Sequence, residues 1–169
     1  MEHVMQIRQE TEADIMGISQ VHLAAFPTAE EANLVDRLRE QGHLTISLIA
    51  EEEDLILGHI ALSPVTVDGQ PGGLGLAPVA VLPDYQNQGI GSALIQAGLD
   101  KAQEMGVGFV IVMGHRSFYP RFGFQQASLW NLQNEYDAND SFMALELLPN
   151  SIPKEGGLVR YGDEFAAFS

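Results

Sequence analysis

The stretch VAVLPDYQNQGIGS, positions 79–92, decides how the chain is read. An apolar strand runs into Pro83, a short loop follows, and a helix opens at about Gly89. The first turn of a helix carries amide groups without partners inside the helix, and the aligned peptide dipoles add partial positive charge there. Gly89 and Gly91 have no side chain to hold a ligand off, so the backbone can approach a phosphate closely. Taken alone, G-x-G at a strand–helix junction is a weak signal, and a tight turn whose glycines serve only backbone geometry explains it equally well. Two nucleotide-binding readings fail. A Rossmann turn needs a third glycine where Leu94 stands, and a Walker loop needs a lysine that this turn lacks.

Working outward, positions 74–82 form a nearly continuous apolar strand, which implies burial on both faces. The helix at 89–105 sets Ser92, Gln96, Asp100 and Gln103 on one face and Ile90, Ala93, Leu94 and Ala97 on the other. Gly106 closes it, and 109–113 is a second apolar strand. Strand, helix, strand at this spacing is a right-handed parallel βαβ unit. Toward the N-terminus, 5–8 reads as a strand, Thr11 and Asp14 form a capping box, and Ile15, Ile18, His22 and Ala25 recur at helical spacing. Pro27 ends that helix, and Leu34, Val35 and Leu38 mark a second one that closes near Gly42. Strands are expected at 44–50 and 55–67, the latter bent at Gly58 or Pro64, followed by a loop through Asp68, Gly69, Pro71, Gly72 and Gly73. Later strands are expected at 124–130, 142–147 and 157–161. With no repeat and no linker, 1–169 reads as one mixed α/β domain.

Composition narrows the function classes. The formal net charge is −15 with only 8 Lys+Arg, which disfavours nucleic acid as a partner. Such acidity suits a cationic substrate, although a solvated acidic surface explains it as well. There are no cysteines, so neither disulfides nor thiolate metal sites exist, and a reducing compartment fits. Positions 1–10 carry Glu2 and Glu10 and no apolar core, unlike a signal peptide. No apolar run approaches the ~20 residues of a membrane span, and a soluble, cytoplasmic protein is expected.

The pattern Gln86-x-x-Gly89-x-Gly91 resembles the pyrophosphate motif of the GCN5-related N-acetyltransferases (GNAT), Arg/Gln-x-x-Gly-x-Gly/Ala, and the flanking Val79, Ala80, Val81, Pro83 and Tyr85 agree. The resemblance implies an α/β fold with a mixed, mostly antiparallel sheet flanked by helices, its parallel βαβ pair splayed at a cofactor slot. It implies acetyl-CoA as cofactor, with amides of Gln86, Asn87, Gln88, Gly89, Ile90, Gly91 and Ser92 around the pyrophosphate. The backbone of Val79, Ala80 and Val81 would then pair with the pantetheine arm. A second segment, Phe118-Tyr119-Pro120-Arg121-Phe122-Gly123-Phe124, resembles the family's Tyr-x-x-x-Gly-Phe signature, and is closest to small bacterial members with Gly-His ahead of Tyr-x-Arg-Phe-Gly-Phe. Phe118, Phe122 and Phe124 are read as packing, whereas the Tyr119 hydroxyl is the candidate general acid for the leaving thiolate.

The resemblance implies N-acetylation of a primary amine by direct transfer, and a lysine-like amine must first lose a proton. The central strands 74–82 and 109–113 hold no carboxylate to take it. His115 is the candidate base and His59 a weaker one, while His22 and His43 read as structural. Glu30, Glu31 and Asp36 fall where the family's acceptor side lies. The five histidines lack metal-ligand spacing, so no metal is expected. An acyl-CoA sensor that kept the slot and lost the chemistry is the alternative, the missing carboxylate being its best argument. A purely structural protein leaves both motifs unexplained, and both a monomer and a homodimer remain open.

Overall fold

The computed structural model describes residues 4–136 and 138–168. Two compact units make up the chain, one from residues up to Leu62 with Ala77–Lys101, the other from Ser63–Leu76 with the residues after Lys101.

In the first unit, β1 (Gln6–Gln9) leads into a 3-10 turn, Glu12–Asp14, and then α1 (Ile15–Ala25). Asp14 accepts from the Thr11 backbone N–H at 2.7 Å and from its hydroxyl at 3.0 Å, the expected cap. Arg8 bridges Asp14 at 2.8 Å and Glu51 at 2.7 Å, and its hydrogen bond holds the Asp14 carboxyl down at about 2. Helix α2 (Glu30–Glu40) buries Ala32, Leu34, Val35 and Leu38. Ile18, Val35 and Ile49 form the core beneath, flanked by Leu44 and Ile56. β2 (Ile46–Glu52) and β3 (Leu55–Val67) are joined through Glu53 and Asp54, both at positive φ, the geometry of a tight hairpin turn. Ala50 lies opposite Gly58 and Glu51 opposite Ile56, so Leu57 is an extra residue that bends β3 beside Gly58. A Cβ on Gly58 would lie 2.9 Å from the Ala80 carbonyl oxygen, so only glycine lets the backbones approach.

β4 (Gln70–Val81) starts directly after the Asp68-Gly69 turn. The expected loop at Pro71, Gly72 and Gly73 is therefore strand. Its glycines serve packing rather than turning: a Cβ on Gly73 would sit 2.3 Å from the Phe109 ring. α3 (Ile90–Glu104) buries Ile90, Leu94, Ile95, Leu99 and Ala102, and Gly106 at φ 79° follows it.

In the second unit, β5 (Phe109–Met113) runs parallel to β4 over Gly73–Gly75 and antiparallel to β8 (Phe142–Glu146) along its whole length. The strand expected at 124–130 shrinks to β6 (Gln125–Gln126), because the chain coils into a 3-10 turn at Ala127–Trp130 that Asn131 closes in the left-handed conformation. β7 (Leu132–Asn134) makes a second, short parallel ladder with β9 (Gly157–Tyr161), which also pairs antiparallel with β3. The core is Val65, Phe109, Ile111, Leu132, Phe142, Ala144 and Val159 with their neighbours. The sheet order β1-β2-β3-β4-β5-β8-β6 is antiparallel throughout except at β4–β5, the mixed architecture expected. No helix among the described residues is long and apolar enough to cross a membrane.

Candidate functional site

The expected burial of β4 on both faces holds only as far as Leu76. Beyond it, burial alternates: Pro78 and Ala80 are covered, while Ala77, Val79 and Val81 are half-exposed. One face of the strand thus opens over the residues assigned to the pantetheine arm. The strand leads into a 3-10 turn, Pro83–Tyr85, and then to Gln86, whose side-chain amide donates to the Val81 carbonyl at 3.0 Å. Asn87 and Gly89 adopt positive φ, 63° and 86°. The first intrahelical bond runs from the Ala93 N–H to the Gly89 carbonyl at 3.0 Å, so the amides of Ile90, Gly91 and Ser92 precede the ladder and are available to an anion.

The two glycines differ. Gly89 needs its freedom for the left-handed turn. Gly91 does not: a Cβ there would meet only Val81, at 3.8 Å. A glycine costs a helix up to about 1 kcal/mol relative to alanine, and nothing in the chain itself calls for one at 91. A small residue at 91 leaves the backbone of the first turn open to an incoming group.

In the second unit, Tyr119 opens the 3-10 turn Tyr119–Phe122, which Gly123 ends at φ 100°. The ring is buried and meets Phe118 and Phe124 edge-on, with centroids 5.2 and 5.7 Å away. A Cβ on Gly114 would lie 2.2 Å from this ring, so Gly114 makes room for Tyr119. Burial pushes the hydroxyl above its ordinary value near 10, which keeps it a proton donor at neutral pH. The side chain of His115 is exposed, and its carbonyl accepts from the Phe118 and Tyr119 N–H groups at 3.0 and 3.2 Å. Its visible task is to shape the turn that carries Tyr119. Of the acidic residues on α2, Glu30 is exposed, Asp36 pairs with Arg39 at 3.1 Å, and Glu31 Oε1 is buried without a hydrogen-bond partner.

The structure also assembles a group that sequence reasoning did not. His22 Nε2 lies 2.8 Å from His59 Nδ1, and His59 Nε2 lies 2.8 Å from Ser47 Oγ. The Ser47 hydroxyl donates to Glu10, whose carboxylate is gripped by Arg39 Nε at 2.8 Å and an Arg39 terminal nitrogen at 2.9 Å. Both histidines are fully buried, so His22, read as structural, is one end of a polar chain through the core. The available signal was that both stand at core positions of apolar elements, where an imidazole requires a partner.

Burial and, secondarily, Arg39 push His22 from its ordinary 6.5 down to about 4, and burial, His22 and Arg39 push His59 well below 6.5. The fold therefore favours neutral rings. The His22 contribution to stability is complete above about pH 6.5 and is lost as pH falls through about 4, and that of His59 is likewise lost toward acid. For His22 alone this amounts to about 3 kcal/mol. Urea unfolding at stepped pH should show stability declining from about 6.5 to 4, above the window near 2 in which Asp14 protonates. A flat profile down to pH 4.5 contradicts the neutral pair.

Comparisons with known proteins show the family and the fold. The model of the acetyltransferase (GNAT) family matches residues 9–124. The uncharacterized N-acetyltransferase YhbS of Escherichia coli is 36% identical over 167 residues, covering 97% of this chain and 100% of the relative. The crystal structure of E. coli YhbS in complex with CoA superposes with a TM-score of 0.93 at 34% identity, over 99% of this chain and 95% of that one. A GNAT family acetyltransferase from Brucella melitensis, in complex with acetyl-CoA, does so at 0.83 and 37% identity, over 97% and 99%. With the family pattern spanning most of the sequence and a relative matched over its whole length, this chain belongs to the acetyltransferase (GNAT) family.

Proposed function

We propose that this protein transfers an acetyl group from acetyl-CoA directly to a primary amine, using 1–169 as a single N-acetyltransferase domain whose units share β3 and β4. The observation that carries the reading is the open face of β4 at Ala77, Val79 and Val81, running into a glycine-lined helix N-terminus. The CoA and acetyl-CoA complexes of the two similar structures support it. Main-chain groups of Val79, Ala80 and Val81 hold the pantetheine arm as an added strand would be held. Amides from Gln86, Asn87, Gln88, Gly89, Ile90, Gly91 and Ser92 receive the pyrophosphate, which lets an acidic protein bind an anion without a lysine cluster. Bound acetyl-CoA supplies an activated thioester. Tyr119 donates its proton to the sulfur as the C–S bond breaks. His115 is the base candidate from sequence. The work of the protein is cytoplasmic, on a soluble small-molecule or peptide amine.

The test is thiol release from acetyl-CoA against polyamines, amino acids, aminoglycosides and lysine peptides. Release with at least one amine, and none without protein, is the expected result. Tight acetyl-CoA binding with no turnover across that panel favours the sensor reading, for which the lack of a carboxylate on β4 and β5 speaks.

A further inference from the structure

Acetyl transfer to an ammonium-form amine releases a proton. The N–C bond forms and the C–S bond breaks. The nitrogen loses two protons overall, one balancing the proton taken up by the thiolate sulfur and the other having to leave. Neither β4 nor β5 offers a carboxylate for it.

The buried chain has a direction that hydrogen-bond chemistry dictates. The Glu10 carboxylate only accepts, so the Ser47 hydroxyl spends its proton on it. Ser47 must then accept from His59, which puts the His59 proton on Nε2. His59 Nδ1 is left as an acceptor, so His22 donates from Nε2. His22 Nδ1 is then a bare lone pair, fully buried and without a hydrogen-bond partner. An unpartnered buried acceptor of this kind marks the place of a water or a ligand proton.

The chain also has a location. Its links lie on successive strands: His59 on β3, Ser47 on β2, and Glu10 just after β1. β3 is the neighbour of β4, and Gly58, next to His59, abuts the Ala80 carbonyl. With His22 joining it from α1, the strand-borne part of the chain therefore runs from β3, beside the strand assigned to the pantetheine arm, toward the sheet edge. There the Glu10 side chain is 15% exposed, while both imidazoles are fully covered.

We propose that His22 Nδ1 receives the acceptor amine's proton through an intervening water, and that His59 and Ser47 pass it to Glu10 and out to solvent. The inference rests on the amine-acetyltransferase reading above. In the transfer, His22 Nε2–H moves to His59 Nδ1, His59 Nε2–H to Ser47 Oγ, and the Ser47 hydroxyl proton to Glu10. Each link gains one proton and loses one. Arg39, with Asp36 beside it on α2, anchors the receiving carboxylate. His22 is neutral at pH 7, so its lone pair is free to act, and handing the charge onward spares the core a lasting cation.

Two measurements test this. Long-range 1H–15N NMR on histidine-labelled protein needs no substrate. It should show both buried rings neutral at pH 7 and protonated on Nε2, and a His22 or His59 protonated on Nδ1 overturns the relay. Kinetics follow with the best amine of the panel. Ser47→Ala should lower kcat about 100-fold at pH 7, within the range of general base catalysis. The deficit should close as pH approaches the amine's own value, about 10.4 for a lysine-like acceptor, because the substrate then arrives neutral. Ser47→Thr, which keeps the hydroxyl, should restore the rate at pH 7. A deficit in folded Ser47→Ala that stays constant with pH means a structural role and overturns the proposal. So does a pH-dependent loss seen in His115→Ala and absent from Ser47→Ala. If the wild type turns over no amine, it is the acetyltransferase reading that fails, and the tautomers alone decide whether the chain has the stated direction.

Discussion

Gly91→Glu is expected to weaken CoA binding at least about 100-fold, a loss of about 2.7 kcal/mol, while the far-UV dichroism remains that of the wild type. The substitution sets a carboxylate where the pyrophosphate is to lie against the helix N-terminus, and like charges in contact cost several kcal/mol. The fold should tolerate it. A Cβ at 91 meets only Val81 at 3.8 Å, replacing glycine in a helix is favourable by up to about 1 kcal/mol, and an acidic side chain in the first turn suits the dipole. Gly89 is the poorer target, because at φ 86° any side chain strains the turn and mixes folding with binding. Gly91→Ala is the matched control and should keep binding within a few-fold with unchanged or raised Tm. Calorimetry on both proteins decides the matter: a folded Gly91→Glu protein that binds CoA like the wild type removes the pyrophosphate site from this turn.

Tyr119→Phe is expected to lower kcat about 10²- to 10⁴-fold, the usual contribution of a general acid, with a smaller change in acetyl-CoA affinity. The ring and its edge contacts with Phe118 and Phe124 remain, so Tm should move little. Burial holds the hydroxyl protonated to above pH 10 in the wild type, and the basic limb that its ionisation produces should vanish in the variant. Gly114→Ala offers an independent check, because its methyl would fall 2.2 Å from the Tyr119 ring and push it aside. That variant should lose kcat while keeping the hydroxyl. Wild-type turnover by Tyr119→Phe, at a pH where chemistry limits the rate, leaves the tyrosine with packing alone.

Much of the fold was legible because its signals are local. β3, β5 and β9 have the bounds read from sequence, since each is an apolar run closed by turn-forming residues. Two segments were misread, for different reasons. Gly72 and Gly73 look like loop residues until Phe109 packs on the strand that contains them, and 127–130 looks like strand until Asn131 turns the chain at positive φ. In the first case the deciding neighbour lies far along the chain and tertiary context overrides propensity; in the second it is the adjacent Asn131, a residue type that readily takes the left-handed conformation.

The candidate site divides the same way. The turn at 86–92 was readable because a phosphate cradle is made of contiguous backbone, whose amides and glycines keep their relation wherever the fold carries them. The sequence by itself therefore determined the family, and it marked the glycine turn proposed as the cradle and the turn that carries Tyr119. The polar chain is different in kind. His22 and His59 are 37 residues apart, as are Glu10 and Ser47. Their meeting depends on the register of β2 against β3 and on the face that α1 buries. A one-residue slip in that register would turn Ser47 to the opposite face of the sheet. Only the tertiary structure decided that these four side chains, of which the sequence had singled out His59 alone as a candidate base, form one hydrogen-bonded path, because such a path is fixed by packing across strands rather than by spacing along the chain.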